Sequence, residues 1–290
     1  MDKLIVIAGT TASGKSQIAL DLAKKRDCVI INADSRQVYK EISIGTAKPT
    51  FQDYKDNIGY IDNIPHYLYS YVSVKEDYNL YRYQKDAYNT LKNIPPNKVP
   101  ILVGGTGLYI DSVVYNYKLV EHTIDNNNNN NNNSDTNLDN LSVEELQKMV
   151  DKEELSKLNN SDINNPRRLV RLIQGRSYEM EKGEEIPHIY FVIDKPKEEI
   201  NKNIEKRVDY MLDNGLIEEN KYIRDNDLRK YKSLNTIGYQ EFDDTTLSIE
   251  DVREKIITHT KQYAKRQRTW FRRNKKVIYV KTLEDITSLL

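Results

Sequence analysis

A chain of 290 residues, 38% hydrophobic and 30% charged, is long enough for one large globular domain or for one interrupted by an insertion. Its 44 basic and 44 acidic residues cancel, so only a local concentration of charge can mark a nucleic-acid partner. A single cysteine, Cys28, excludes an internal disulfide, and no window approaches the roughly 18 uninterrupted apolar residues of a membrane helix. A reduced, cytoplasmic setting without membrane contact is expected.

Leu4 to Ala8 (LIVIA) is a continuous apolar run that reads as a buried parallel strand, and Ser16 to Lys25 (SQIALDLAKK) repeats apolar residues at helical spacing. Between them, Gly9 to Ser16 (GTTASGKS) has the Walker A spacing G-x-x-x-x-G-K-[ST]. A loop fed by a strand and left by a helix aims backbone N–H groups and the positive end of the helix dipole at an anion. The candidate phosphate-binding residues are Gly9, Thr10, Thr11, Ala12, Ser13, Gly14, Lys15 and Ser16. Lys15 adds a mobile charge, and Ser16 offers a hydroxyl to Mg²⁺. The first strand begins almost at once after Met1, which leaves no room for a targeting peptide.

Cys28 to Asn32 (CVIIN) reads as a second strand carrying a buried structural thiol, and it ends in NADSRQVY, Asn32 to Tyr39. At the carboxyl end of a strand in a doubly wound sheet, Asp34 lies near the mouth of the P-loop and is a candidate general base. A helix cap by Asp34, Ser35 or Asn32 is the competing reading. Tyr81 to Ile94 reads as a crossover helix ended by Pro95 and Pro96, and Val99 to Val103 as a further strand. GGTGLY, Gly104 to Tyr109, follows it; its glycines suit either close backbone approach to a ligand or a tight strand-to-helix turn.

From about Glu121 to Asn140 the chain is too polar to order itself, and the eight asparagines of Asn126 to Asn133 read as a disordered surface loop. Helix formers from Ser142 to Gln174 predict a small helical insertion over 115–185, splitting a core of 1–114 and 186–290. Within the insertion, Arg167, Arg168, Arg171 and Arg176 fall in a span free of acids. Ile189 to Ile193 returns the chain to a sheet, and Lys197 to Ile223 carries one long helical pattern. From Arg253 to Lys276 ten Lys or Arg face one acid, Glu254, and Tyr263, Trp270 and Phe271 are interleaved among them. Such a helix is either a solvated face or a holder of single-stranded RNA. The alternation as a whole predicts an α/β fold: a P-loop NTPase-like parallel sheet flanked by helices.

Together, GTTASGKS, NADSRQVYKEISIGTAKPT, IPHYL, ILVGGTGLYI, NNPRRLVR, RVDYMLDNGLIEE, TIGYQE and YAKRQRTWFR resemble, in order and over nearly the whole chain, the tRNA dimethylallyltransferase (tRNA isopentenyltransferase) family. The resemblance implies transfer of a dimethylallyl group from its pyrophosphate, with Mg²⁺, to the exocyclic amine of the tRNA adenosine 3′-adjacent to the anticodon. It implies a pyrophosphate in the P-loop, Asp34 as the base, and Lys15, Thr106 and Arg207 in catalysis. It places Asp34, Ser35, Arg36, Gln37 and Thr106 against the anticodon stem-loop. Arg167, Arg168, Arg171, Ile237, Gly238, Tyr239, Lys265, Arg266, Gln267, Arg268, Trp270 and Arg272 join them, in a protein that acts as a monomer.

Three departures from the family pattern stand out: Thr10 in place of a proline, Tyr67 in place of a histidine, and Asn203 where an arginine is usual. The last removes a cation near the donor. Two other readings compete. An adenylate dimethylallyltransferase acting on free AMP, ADP or ATP has no need of YAKRQRTWFR. A P-loop kinase of small metabolites needs an acid after an apolar strand, where VPILVGG ends in glycines.

Overall fold

The computed structural model describes residues 3–119, 138, 141–158, 160–173 and 181–290. The asparagine run lies outside them. The chain divides into two compact units, one of Met1–Asn116 with Glu184–Leu290, the other of Tyr117–Gly183.

The first unit opens with β1 (Leu4–Gly9), α1 (Lys15–Lys25) and β2 (Cys28–Asn32). A short meander follows, β3 (Asp53–Lys55), β4 (Ile58–Ile61) and β5 (Ile64–Tyr67), and then α2 (Leu80–Asn93), β6 (Val99–Gly104) and α3 (Gly107–Val114). The second unit holds α4 (Val143–Met149), α5 (Lys152–Ser156), α6 (Asn160–Ile163) and α7 (Pro166–Ile173). The first unit resumes with β7 (His188–Ile193), α8 (Lys197–Asp213), α9 (Leu216–Asp225), α10 (Ile249–Arg273), β8 (Ile278–Val280) and α11 (Leu283–Thr287).

Among the described residues, eight strands form one sheet in the order β3-β4-β5-β2-β6-β1-β7-β8. From β5 to β8 every pairing is parallel. The β3 and β4 edge is antiparallel, an addition to the expected parallel sheet. Two turns make that edge. Asp56-Asn57 and Asp62-Asn63 all have φ between 51° and 62°, the left-handed pairs that close two-residue hairpins and that Asp and Asn tolerate best.

β1 lies between β6 and β7 with all six residues buried. On one face, Ala19, Leu22 and Ala23 of α1 join Ile5, Ile7, Ile30, Ile101 and Phe191 in a core. A second core gathers Ile200, Ile204 and Val208 of α8 with Val252, Ile256, Ile257 and Ala264 of α10. Each fully buried branched side chain is worth about 1.5–3 kcal/mol. The second core packs α8 against α10.

The single helix expected over 197–223 is two. Gly215 takes φ +102°, a conformation that side chains with a Cβ resist, so α8 stops at Asp213 and α9 starts at Leu216. In the second unit, a capping box of Ser142 and Glu145 starts α4, and Leu146, Val150 and Leu169 form a small core. Arg168 is ion-paired with the buried Asp162. Among the described residues no helix is long and apolar enough to cross a membrane.

Candidate active site

The P-loop leaves the carboxyl end of β1 and turns into α1. Lys15 donates its ammonium to the Thr10 carbonyl at 3.2 Å. Loss of water around it lowers its pKa to about 8; the Asp34 carboxylate opposes that shift, and the Arg207 guanidinium adds to it. Lys15, Ser16, Asn203, Lys206 and Arg207 line a cavity of about 580 Å³. Ser13 Oγ is buried without a hydrogen-bond partner.

Asp34 follows β2 and makes a tight turn: its N–H donates to Asn32 Oδ1, and its own Oδ1 accepts from the Arg36 N–H, both at 2.9 Å. The turn therefore uses one carboxylate oxygen, and the same residue lines a second cavity of about 420 Å³. Ser35, Arg36 and Thr106 line it too. Thr106 Oγ1 accepts from the Ser35 N–H at 3.0 Å and donates to Ser35 Oγ at 3.3 Å. The Tyr263 hydroxyl of α10 is hydrogen-bonded to Thr106; burial, and then the Asp34 charge, push this phenol up to about 12.

Arg207 of α8 lines both cavities. It donates to Thr11 Oγ1 at 2.9 Å and to the Thr46 carbonyl at 3.3 Å. Burial lowers its pKa, against the pull of Asp34. The P-loop cavity and the Asp34 cavity thus meet at one guanidinium. Asn203, the departure one turn earlier, donates to the Ala12 carbonyl at 3.1 Å, which keeps a polar tie to the P-loop without the charge.

Several residues expected on RNA also make hydrogen bonds within the protein. Gln267 is buried: its carbonyl accepts from the Thr11 N–H and its amide donates to the Gly105 carbonyl, each at 2.8 Å. It ties the two glycine loops together. Gln267→Leu leaves both backbone groups unpaired and is expected to cost about 1–3 kcal/mol, read as a lower urea midpoint with an unchanged slope. Trp270 donates to Asp111 at 2.9 Å. Arg268 donates to the Lys195 carbonyl at 2.6 Å. The glycines of GGTGLY make room for protein, not ligand: a Cβ on Gly104 would stand 2.1 Å from the Ala33 carbonyl, and one on Gly107 2.2 Å from the Trp270 ring.

In TIGYQE only Ile237 of the expected trio lines the Asp34 cavity. The Gly238 carbonyl accepts from Asn220 at 3.0 Å, and Tyr239 is fully buried, donating to Glu219 at 2.7 Å. Glu219 also accepts the N–H groups of Ser43, Ile44 and Gly45 at 2.6–3.1 Å, fixing the loop whose Thr46 carbonyl meets Arg207. Gln37 donates to the Thr46 and Ala47 carbonyls at 3.0 and 3.1 Å. Lys265, Arg266 and Arg272 stay exposed on α10 and outside any ion pair among the described residues. The side chains of Arg167 and Arg171 lie outside what is described. The cavity lining also includes Thr46 and Gln240, which lie inside NADSRQVYKEISIGTAKPT and TIGYQE but are given no role there, and Asn235, which directly precedes TIGYQE.

A P-loop whose cavity joins a pocket holding a carboxylate and hydroxyls defines a group-transfer enzyme of the P-loop α/β class. The IPP transferase family model matches residues 37–274, and that of isopentenyl transferase matches residues 2–64. The tRNA dimethylallyltransferase of Trichormus variabilis is 36% identical over 94% of this chain and 92% of its own, and that of Synechocystis sp. is 37% identical over 93% and 88%. Among solved structures, the Staphylococcus epidermidis tRNA isopentenylpyrophosphate transferase superposes with a TM-score of 0.70, 30% identity and coverage of 100% and 99%. A eukaryotic dimethylallyltransferase acting on tRNA gives 0.76 and 28% over 97% of this chain and 74% of its own. The chain belongs to the IPP transferase family.

Proposed function

We propose that this protein transfers a dimethylallyl group from dimethylallyl pyrophosphate to the exocyclic amine of the adenosine beside the tRNA anticodon, on its 3′ side. The observation that carries the reading is the meeting of the two cavities at Arg207, with the P-loop lysine on one side and Asp34 on the other. The pyrophosphate lies against Lys15 and the P-loop amides, and the adenine enters beside Asp34, Ser35 and Thr106. The allylic carbon–oxygen bond breaks with its electron pair leaving on pyrophosphate, and a carbon–nitrogen bond forms. The amine proton passes to the Asp34 carboxylate. Lys15 and Arg207 stabilise the charge that grows on the leaving group.

The donor set suits Mg²⁺. Ser16 offers a hard hydroxyl oxygen in the P-loop cavity, and no cluster of three acids or histidines able to hold a metal occurs among the described residues. That matches an ion that keeps several waters and shares the substrate's phosphates. When bound, it supplies further neutralisation of the leaving pyrophosphate. Cys28 is buried, with its thiol pushed up to about 11 by burial, an inert reduced thiol that suits a cytoplasmic enzyme.

The test offers labelled dimethylallyl pyrophosphate and Mg²⁺ to an unmodified anticodon stem-loop and, separately, to AMP. Label in the stem-loop alone is the expected result; label in AMP alone overturns the reading. RNA binding is expected to use the exposed cations of α10. Replacing Lys265, Arg266 and Arg272 by glutamine should weaken stem-loop binding and flatten the plot of log affinity against log salt by roughly 0.7 for each phosphate that is no longer neutralised. Arg268, held by the Lys195 carbonyl, is not part of that set.

A further inference from the structure

A general base must hold its carboxylate about 3 Å from the proton it takes, and Asp34 stands two residues past the end of β2, outside any regular element. One side chain supplies the missing frame. Asn32, the last residue of β2, is fully buried; its Oδ1 accepts the Asp34 N–H at 2.9 Å, and its Nδ2 donates to the Asp34 carbonyl at 3.1 Å. Both backbone polar groups of Asp34 are therefore gripped by one carboxamide. The same Nδ2 donates to the Leu68 carbonyl at 3.0 Å, which ties the grip to the chain leaving β5, and the Asn32 carbonyl accepts from the Tyr83 hydroxyl of α2 at 3.0 Å. The intervening residue is held as well: Ala33 donates its N–H to the Val103 carbonyl at 2.7 Å, and its own carbonyl accepts the Thr106 N–H at 3.2 Å.

We propose that Asn32 is a positioning residue for the transfer: its carboxamide fixes the direction in which Asp34 presents its carboxylate to the cavity. The inference rests on Asp34 acting as the base in the transfer reading above. An amide suits this task because it offers an acceptor to the Asp34 N–H and donors to two carbonyls at once. A carboxylate of the same shape would face both carbonyls with no proton to give. A serine hydroxyl can still accept the N–H, but its single O–H cannot serve both carbonyls. Asn32 adds no charge to the cavity and does not line it, so its removal is felt as lost alignment, and a misplacement of about 1 Å is enough to cost on the order of 10²-fold in rate.

The experiment combines Asn32→Ala and Asn32→Ser with Asp34→Asn in a double-mutant cycle, using the full chain, dimethylallyl pyrophosphate and an anticodon stem-loop. Single-turnover rates are expressed per folded molecule, counted by the stoichiometry of inorganic pyrophosphate binding, so a variant that folds poorly still reports. Asn32→Ala is expected to lower the rate by roughly 10- to 100-fold, with KM for both substrates and pyrophosphate affinity unchanged. Asn32→Ser is expected to recover part of that loss. In the Asp34→Asn background no base remains to be aligned, and Asn32→Ala is expected to have no further effect. An equal loss in both backgrounds makes Asn32 a general support of the fold, and an unaltered rate in Asn32→Ala gives it no part in alignment; either result overturns the inference and leaves the transfer reading standing. An Asp34→Asn rate equal to that of the unaltered protein overturns the base assignment beneath the inference. Failure of the unaltered protein to transfer dimethylallyl to the stem-loop overturns the transfer reading itself.

Discussion

Asp34→Asn is expected to lower the transfer rate by roughly 10²- to 10⁴-fold, the range lost with a positioned general base, while donor affinity stays within a few-fold of the unaltered protein. Asparagine is the informative replacement because it keeps an oxygen at the position of Oδ1, which accepts the Arg36 N–H and holds the turn. It also keeps a side chain of the same size in the cavity and removes only the ability to take a proton. Single-turnover transfer to the stem-loop, beside pyrophosphate binding measured by calorimetry, separates the two roles. A collapse of pyrophosphate affinity in this variant would make Asp34 an organiser of the donor site instead. Its through-space effect on Lys15 and Arg207 sets a modest expectation there: without that negative charge both cations are less favoured, and pyrophosphate binding weakens slightly.

Lys15→Met carries the second large effect, and it moves stability and function in opposite directions. In the folded chain the Lys15 pKa falls from 10.5 to about 8, because the cleft takes water away from the ammonium. The unfolded chain holds that proton more tightly, so the charged lysine costs the ligand-free fold stability below about pH 8. That cost fades as pH rises from about 8 toward the unfolded value. It is on the order of 3 kcal/mol. Met, apolar and of similar length, is therefore expected to raise the melting temperature of the ligand-free protein at pH 7 by several degrees, with the gain shrinking toward pH 10. Pyrophosphate affinity should fall by roughly 10- to 100-fold, the value of a hydrogen bond to a charged group. In the unaltered protein that affinity should decline as pH rises through about 8, with proton uptake on binding seen by calorimetry in two buffers. Uptake that persists in Lys15→Met would assign the proton to another group.

Much of the fold is legible in the sequence because continuous apolar runs such as LIVIA and VPILV announce buried parallel strands. The antiparallel edge is not, although Asp56-Asn57 and Asp62-Asn63 are a recognisable pair of hairpin turns. The strands they join are only three or four residues long, too short for alternation to register. The break at Gly215 is hidden for a related reason: helical periodicity continues across it in the letters, and only the backbone angle interrupts it.

At the site, the P-loop and Asp34 can be found locally, since strand-end position alone puts them together. Gln267 cannot. It sits in a basic run whose composition suggests RNA, yet its carboxamide turns inward to backbone groups at Thr11 and Gly105, more than 150 residues away in sequence. Composition describes what a helix offers to solvent; it is blind to which single residue faces the other way.

In the proposed reaction, the carboxylate of Glu219 bears on where the donor does not go. Three successive amides at Ser43, Ile44 and Gly45, left open beside Arg207, would be a second seat for an anion within reach of the P-loop. With a built-in carboxylate already on them, that seat is taken and its attraction cancelled. In that reaction, a pyrophosphate in this cleft meets those three amides already neutralised, and the P-loop amides are left to hold it.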